Sequence, residues 1–127
     1  MGESVRGAYV KGQVVVVPFP FSNLKTIKHR PALVLADVGG PYREFILCMI
    51  TAKPSEFAIK ITKSDFEEGE LDHRECYVKP ERLFTAELTL IKKSVGTLNS
   101  SKMKEIMDKV GHLFGFADED SDNTDDT

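Results

Sequence analysis

Short apolar runs that are interrupted by proline and glycine are the feature that most constrains how this chain folds. The run "GQVVVVPFPF" (residues 12–21) is rich in β-branched residues, and its prolines, Pro18 and Pro20, are expected to end a strand there. The run "PALVLADV" (31–38) predicts a second strand, and the turn sequence "GGP" follows it directly. The chain therefore begins as a series of short strands.

Three further segments continue this pattern. "EFILCMITA" (44–52) is apolar nearly throughout, as is the centre of the second run, so both are predicted to be buried on both faces of a sheet. "FAIKITKSDF" (57–66) alternates apolar and polar residues, which is typical of a half-exposed strand. "CYVKPERLF" (76–84) predicts a strand at an edge or a bulge, because Pro80 cannot donate a backbone hydrogen bond. The charged segment 67–75 between them is predicted to be a loop.

One segment near the C-terminus has helical periodicity. In "SSKMKEIMDKVGHLFGF" (100–116), apolar residues recur at spacings of three and four, which would place on one helix face Met103, Ile106, Met107, Val110 and Phe114. Ser100 or Ser101 is the expected N-cap, and the apolar stripe is expected to pack on the sheet. Many short strands followed by one helix predict a mainly β fold, a small β-barrel with a C-terminal α-helix.

The distribution of charge divides the chain into a body and a tail. Within its 127 residues, the final segment "ADEDSDNTDDT" (117–127) holds six acidic and no basic side chains. Without that segment, the formal charge of −3 becomes an excess of bases, 17 against 14 acids. We therefore expect one folded domain over residues 1–116, mildly basic and compatible with an anionic partner, and a disordered acidic tail over 117–127.

Composition and motifs argue against several classes of protein. The apolar runs are too short to cross a bilayer, and the first residues lack the apolar centre of a secretory signal. Cys48 and Cys76 are far apart in apolar contexts, so we expect buried thiols in a cytoplasmic protein. His29, His73 and His112 lack metal-ligand spacing, and neither a metal nor another cofactor is expected. Walker A, GxGxxG and GxSxG motifs do not occur.

Two clusters of cations beside aromatic residues are the strongest indication of a binding partner. The first cluster lies beside Phe19 and Phe21 and consists of Lys25, Lys28, His29 and Arg30. The second lies beside Tyr77 and Phe84 and consists of Arg74, Lys79 and Arg82. Such surfaces suit single-stranded nucleic acid, because phosphates bind cations while bases stack on rings. From these residues alone, the alternative is that the aromatic rings belong to the core and the charges are solvated.

Longer stretches of the sequence resemble one known family. The segments "GQVVVVPFPFSNL", "KHRPALVLAD", "LCMIT" and "SDFEEGELDHRECYVKPERLFT" are similar to those of the MazF/PemK toxins, in the same order, and "LNSSKMKEIMDKV" is similar to the last helix of that family. The likeness extends over about residues 9–114. It implies an SH3-like small β-barrel with a C-terminal helix, usually a homodimer. Most members are metal-independent endoribonucleases that cut single-stranded RNA at short sequences and are held inactive by an antitoxin protein.

The resemblance also assigns roles to two residues. Arg30 matches the family's catalytic arginine, and we expect it to stand where a loop (22–29) ends and a strand begins, held extended by Pro31. A guanidinium stays protonated and bonds two phosphate oxygens, which suits it to stabilise a phosphorane when the 2′-hydroxyl of the RNA attacks. Thr51 matches a catalytic threonine or serine, whose hydroxyl can hydrogen-bond a phosphate oxygen.

The acid–base partner stays open among three possibilities. Some relatives have an Arg-x-Asp pair where this chain has Lys79 and Glu81, and others have a glutamate where this chain has Lys25. His29 is a second candidate because an imidazole titrates near neutrality. The third possibility is that no dedicated base exists. Glu81 joins Arg30 and Thr51 as a catalytic candidate, and the candidates for substrate binding are Phe21, Lys28, His29, Lys79 and Arg82.

A barrel of this kind does not by itself settle the function, because the fold of the gyrase poison CcdB is related. The leading interpretation is the toxin of a toxin–antitoxin system, an endoribonuclease whose partners are single-stranded RNA, an antitoxin and a second copy of the chain. The alternative is a non-catalytic SH3-like protein that inhibits growth by binding nucleic acid or gyrase.

Overall fold

A seven-stranded antiparallel sheet and one helix make up the described part of the fold. The computed structural model describes residues 9–20, 27–71 and 75–116. Their elements are, in chain order, β1 (Gln13–Pro20), β2 (Ile27–Gly39), β3 (Glu44–Thr51), β4 (Ile59–Ile61), β5 (Phe66–Gly69), β6 (Cys76–Glu87), β7 (Lys93–Leu98) and α1 (Ser100–Leu113). The predicted class, mainly β with a C-terminal helix, is confirmed. Some residues singled out from the sequence lie outside these ranges, namely Phe21, Lys25, His73, Arg74 and the acidic segment 117–127.

The sheet curls because its two edge strands are neighbours in the chain. The order across the sheet is β4-β6-β3-β2-β1-β7-β5, which places β4 and β5 at opposite edges. Residues 62–65 alone join these strands, and they contain a 3-10 turn (Lys63–Asp65). Since the five residue steps from Ile61 to Phe66 span at most about 18 Å, the two edges lie close together and the sheet forms a half-barrel.

The two faces of the sheet carry separate hydrophobic clusters. The face that receives α1, here called the helix face, is packed by Val14, Leu33, Leu35, Cys48, Ile50, Ile59, Ile61, Cys76, Val78 and Leu98. The opposite face, here called the distal face, is packed by Val15, Val17, Ala32, Val34, Phe45, Leu47, Ala86 and Ile91. Residues 32–35 are all buried, as their unbroken apolar run predicts. In β3 the burial is less complete, because Ile46 and Met49 are only half-buried.

Helix α1 closes the helix face. Met103, Ile106 and Val110 are buried in its cluster, which confirms that the apolar stripe packs on the sheet. Phe114 is 65% exposed, so its assignment to the stripe is wrong, because α1 ends one residue before it. The predicted N-cap is also wrong: the Asn99 side chain accepts the bond from the backbone N–H of Lys102, at 2.8 Å. Within the described residues, no helix has the length and apolar character needed to span a membrane.

The first two strands extend further than their prolines and polar residues predict. Pro18 and Pro20 lie inside β1 rather than ending it. Pairing of β1 with β7 stops at Val16, so among the described strands the end of β1 pairs with β2 alone and tolerates a missing N–H donor. Residues 27–29 belong to β2 and not to a loop. The result is a two-stranded extension, the β1–β2 ribbon, formed by residues 17–20 and 27–30.

Strand β5 lies unusually close to β7. The predicted loop 67–75 is in part strand, since β5 runs to Gly69, and the predicted strand 57–66 shortens to β4 and the 3-10 turn. Gly69 has a φ of 73°, and a Cβ on it would stand 2.1 Å from the carbonyl oxygen of Val95. Only glycine permits this approach. The contact lies where Gly69 pairs with Gly96 of β7.

A bulge interrupts the pairing of β3 with β6. Cys48 pairs with Leu83 and Ile50 pairs with Val78, so residues 79–82 all lie opposite Met49. The buried Pro80 lies within this bulge, as its lack of an N–H predicts. The Cys48 thiol donates to the carbonyl oxygen of Lys79, with 2.9 Å between the heavy atoms. The bulge is thereby tied to β3.

Candidate active site

Arg30 projects from the β1–β2 ribbon toward the distal face. It pairs directly with Val17, whose side chain is buried in the distal cluster, and directly paired residues share a face. Arg30 is half-buried, and its Nε atom is fully buried. It stands inside β2 rather than at a loop-to-strand boundary, so both its neighbours along the chain have strand geometry. The guanidinium is therefore carried by a paired strand and not by a loop.

Thr51 is the last residue of β3 and its hydroxyl is held locally. Thr51 pairs with Tyr77 on β6. Its Oγ1 accepts a hydrogen bond from the backbone N–H of Lys53, at 3.2 Å. A hydroxyl that accepts one bond keeps its own proton for donation. Thr51 is both a strand-end cap and a donor suited to an anionic oxygen.

The strand register brings Arg30 and Thr51 to one place on the distal face. Ala32 on β2 pairs with Met49 on β3, and Arg30 and Thr51 each lie two residues beyond that pair. Side chains two residues apart on a strand share a face, so both residues are on the same face as Ala32 and Met49. Tyr77, opposite Thr51, continues the row onto β6. A cation, a hydroxyl and a phenol thus follow one another across three adjacent strands.

An aromatic pair connects the ribbon to β6. The rings of Phe19 and Phe84 pack edge to face, with centroids 5.0 Å apart and an interplanar angle of 82°. Lys28 pairs with Phe19 and therefore shares its face with Arg30. Lys28 is exposed. The contact between Phe19 and Phe84 fixes the end of the ribbon, with its two cations, relative to β6.

His29 is directed away from this row. It lies between Lys28 and Arg30 on β2, so its side chain points to the helix face. It is exposed and lines a cavity of about 510 Å³ together with Val16 and Pro31. Alternation along β2 and β3 places His29 on the face opposite to Thr51. Arg30 also lines this cavity, so the two neighbours both reach it.

Lys79 and Glu81 form an ion pair in the β6 bulge. The ammonium of Lys79 lies 3.8 Å from a carboxylate oxygen of Glu81, and both side chains are partly buried. The bulge lies opposite Met49, one strand further from β2 than Thr51 is. Burial raises the pKa of the Cys48 thiol to about 12, and the negative charge of Glu81 contributes to that rise. Arg82 lies in the same bulge and is exposed.

Tyr77 lies beside the second cation cluster of the sequence, but the motifs give it no role at the site. Burial, then the charge of Glu75 and a hydrogen bond of 3.3 Å to its carboxylate, raise the pKa of Tyr77, so the phenol keeps its proton at neutral pH. Tyr77 could be identified as the residue that pairs with Thr51, but only once the register of β3 against β6 is known. Among the described residues, no three histidine, cysteine, aspartate or glutamate side chains are grouped as a metal ion would require.

Comparison of the sequence with protein families identifies one match. The family of PemK-like, MazF-like toxins of type II toxin–antitoxin systems matches residues 10–114. That range includes every described element from β1 to α1. No curated protein sequence matches the chain significantly.

Several solved structures share the fold at low sequence identity. An endoribonuclease in complex with its cognate antitoxin, from a mycobacterial species, is 14% identical in sequence and has a TM-score of 0.67. The match covers 85% of this chain and 96% of the endoribonuclease chain. A MazE–MazF complex from Deinococcus radiodurans is 16% identical with a TM-score of 0.63, covering 87% and 99%. The toxin MazF-mt6 from Mycobacterium tuberculosis is 15% identical with a TM-score of 0.63, covering 82% and 97%.

Proposed function

Because the chain belongs to the family of PemK-like, MazF-like toxins of type II toxin–antitoxin systems, we propose that it is a cytoplasmic endoribonuclease that cleaves single-stranded RNA at a short sequence. The observation that carries this proposal is the row of Arg30, Thr51 and Tyr77 on one face, beside the exposed Lys28. A fixed guanidinium next to a hydroxyl donor is suited to a phosphodiester, because both groups bind non-bridging phosphate oxygens.

The reaction proposed needs no metal ion. The 2′-hydroxyl of the RNA attacks the adjacent phosphorus, and its proton passes to a base. Arg30 binds two oxygens of the phosphorane and Thr51 donates to one of them, so charge that develops in the transition state meets donors already in place. The bond to the 5′-oxygen then breaks, that oxygen takes a proton from water, and the products are a 2′,3′-cyclic phosphate and a 5′-hydroxyl.

As the base we propose Glu81 rather than His29. His29 points to the helix face, whereas the scissile phosphate would lie on the distal face with Arg30. Glu81 stands on β6, the strand that also carries Tyr77, and Lys79 holds its carboxylate. Lys79 and Arg82 would then bind phosphates on the β6 side of the cleft, with Lys28 on the ribbon side. Phe21, outside the described residues, is proposed to stack on a base.

We also propose two protein partners. Two of the similar structures are complexes of an endoribonuclease or MazF with an antitoxin, and an antitoxin that covers the Arg30 row would keep this chain inactive. A second copy of the chain is the other partner. Apolar residues at the end of α1 support a dimer, since Phe114 is 65% and Phe116 is 71% exposed.

The alternative function is a growth inhibitor that binds nucleic acid or gyrase without cleaving RNA. The observation that favours it is the pair Lys79 and Glu81, which departs from the Arg-x-Asp pair of some relatives. A lysine does not reproduce the planar fork of an arginine. A protein with this departure would still hold phosphates while losing the acid–base step.

Incubation of the purified protein with a long single-stranded RNA in excess EDTA tests the proposal. We expect cuts at a defined short sequence, with 2′,3′-cyclic phosphate and 5′-hydroxyl ends. The same RNA with 2′-O-methyl groups is the control and should stay intact, because its nucleophile is blocked. If the protein has been released in active form from its antitoxin and both the unmodified and the methylated RNA stay intact, the proposed endoribonuclease activity is refuted. That result would favour the alternative function.

A further inference from the structure

A basic cavity on the helix face of the sheet shares Arg30 with the proposed cleavage site, and its other lining residues have no role in the proposed reaction. It has a volume of about 510 Å³, within the range of pockets that bind small ligands. Val16 and Pro31 pair directly on β1 and β2, and Val95 from β7 also lines the cavity. These side chains are uncharged and half-buried. They form an apolar floor of the kind that a nucleobase can pack against.

The rim of this basic cavity is cationic. Lys93 pairs with Val16 and so stands directly beside the floor, and Lys92 and His29 also line the cavity. All three residues are exposed. The backbone at Lys92 is fixed, because its N–H donates to the carbonyl oxygen of Val16 at 2.8 Å. Glu70 is the acidic residue of the cavity wall, and its charge is compensated by Lys63 at 3.4 Å.

The basic cavity adjoins the proposed cleavage site around the edge of the ribbon. Arg30 lies between His29 and Pro31, so it contributes to the cavity wall while its Cβ is on the distal face. A strand of RNA held at Arg30 therefore reaches the cavity by passing over the β1–β2 ribbon, beside which the described part of the chain places no third strand. The two sites are separated by one ribbon rather than by the whole domain.

We propose that the basic cavity binds one nucleotide of the RNA outside the phosphate that is cleaved. Lys92 and Lys93 bind its phosphate, and its base packs on Val16 and Pro31. This assignment rests on the proposed function and extends it, because the cavity then contributes to affinity and to the length of RNA that the protein recognises. An RNA is favoured over an acidic peptide because the cations stand around an apolar floor, which fits a phosphate joined to a base.

Binding of RNA that cannot be cleaved provides the test. The probes are 2′-O-methyl oligonucleotides of three to about 20 nucleotides, titrated against the full chain at several salt concentrations. The variant is Lys92→Gln/Lys93→Gln, and the control of equal charge change is Lys104→Gln/Lys109→Gln on the exposed side of α1. We expect the Lys92/Lys93 variant to bind long probes about 5- to 20-fold more weakly than wild type. The dependence of log K on log salt should become shallower by about 0.7, the contribution of the one single-strand phosphate that the two lysines bind.

The length series decides whether a defined subsite is lost. The defect should be small for the shortest probe and should appear once the probe is long enough to reach the cavity, while the α1 control stays within twofold of wild type. An equal defect at every length, or the same defect in the control, would overturn the proposal. So would a variant that binds RNA normally and loses affinity for the antitoxin alone. If wild type binds no RNA, the proposed function fails as well; if it binds RNA and the variant has no defect, only the cavity assignment fails.

Discussion

Arg30 and Thr51 lie on the same face of neighbouring strands, each two residues beyond the direct pair Ala32–Met49. Neither residue depends on a loop for this placement, because Arg30 is paired with Val17 and Thr51 with Tyr77. Paired strands hold side chains more rigidly than loops do. A site built on paired strands therefore loses less conformational entropy when it binds its ligand. The proposed reaction uses this relationship directly.

Replacement of Arg30 should abolish cleavage and leave the fold intact. Arg30→Ala removes the donor that stabilises the phosphorane, which is expected to lower the cleavage rate by about a hundredfold or more. Arg30→Lys should also be poor, because an ammonium does not reproduce the bidentate fork. Rates are measured on a defined RNA, with Lys109→Ala on α1 as control and with thermal unfolding to check the fold. Cleavage by Arg30→Ala within threefold of wild type would remove this residue from the site.

The identity of the base is tested by two matched neutral variants. Glu81→Gln keeps the shape of the side chain and removes its charge, so the rate should fall by about 10²- to 10⁴-fold and lose its rise with pH. His29→Asn should leave the rise with pH in place, because His29 points to the other face of the sheet. Full pH–rate profiles of both variants make the comparison, with the exposed Glu56→Gln as control. The reverse pattern would assign the base to His29, and normal rates in both would mean that neither side chain is the base.

How much of this could be predicted from the sequence depends on the range of the interactions involved. The apolar runs predict β1, β2, β3 and β6, because the spacing of apolar residues along a segment indicates which of them are buried in a sheet. The same runs predict a strand end at Pro18, since local sequence does not reveal that β1 has lost its β7 neighbour there. Asn99 caps α1 one residue before the predicted serines, a difference that depends on backbone geometry at the junction.

The candidate site shows the same limit. Motifs single out Arg30 and Thr51, but their common face follows from the register of β2 against β3, which involves residues about 20 positions apart. The place of Tyr77 beside Thr51 follows from the β3–β6 register in the same way. The placement of His29 and Arg30 on opposite faces of β2 also requires that residues 27–29 be strand, whereas their polarity predicts loop.

The close approach of β5 to β7 predicts a large cost for a single methyl group. In Gly69→Ala the new Cβ would overlap the carbonyl oxygen of Val95, in addition to the strain of a positive φ. Gly40→Ala is the matched control, because Gly40 has a φ of 83° and nothing within 4 Å of the added Cβ. Denaturant unfolding should show a loss of about 1 kcal/mol for Gly40→Ala and at least about 2 kcal/mol more for Gly69→Ala. Equal losses would show that the two strands separate freely.

Removal of residues 117–127 should leave the midpoint of thermal unfolding unchanged, because a segment with six acids and one alanine as its apolar residue has little to bury. Removal should tighten RNA binding at low salt if the segment competes with phosphates for the cations of the body. Calorimetry and RNA titration of the truncated and full chains measure the two effects. A fall of several degrees in the unfolding midpoint would show that the segment docks on the domain.

The most direct test of the account is a double-mutant cycle on Arg30 and Thr51, measured as single-turnover cleavage rates. Thr51→Ala should slow cleavage by tens of fold, because it removes one hydroxyl bond worth about 1–3 kcal/mol. If both side chains act on one phosphate, the effects are far from additive, and Arg30→Ala/Thr51→Ala should cut within about threefold of the rate of Arg30→Ala alone. Rate losses that multiply in full would show that the two residues act independently, and would contradict a single site built from β2 and β3.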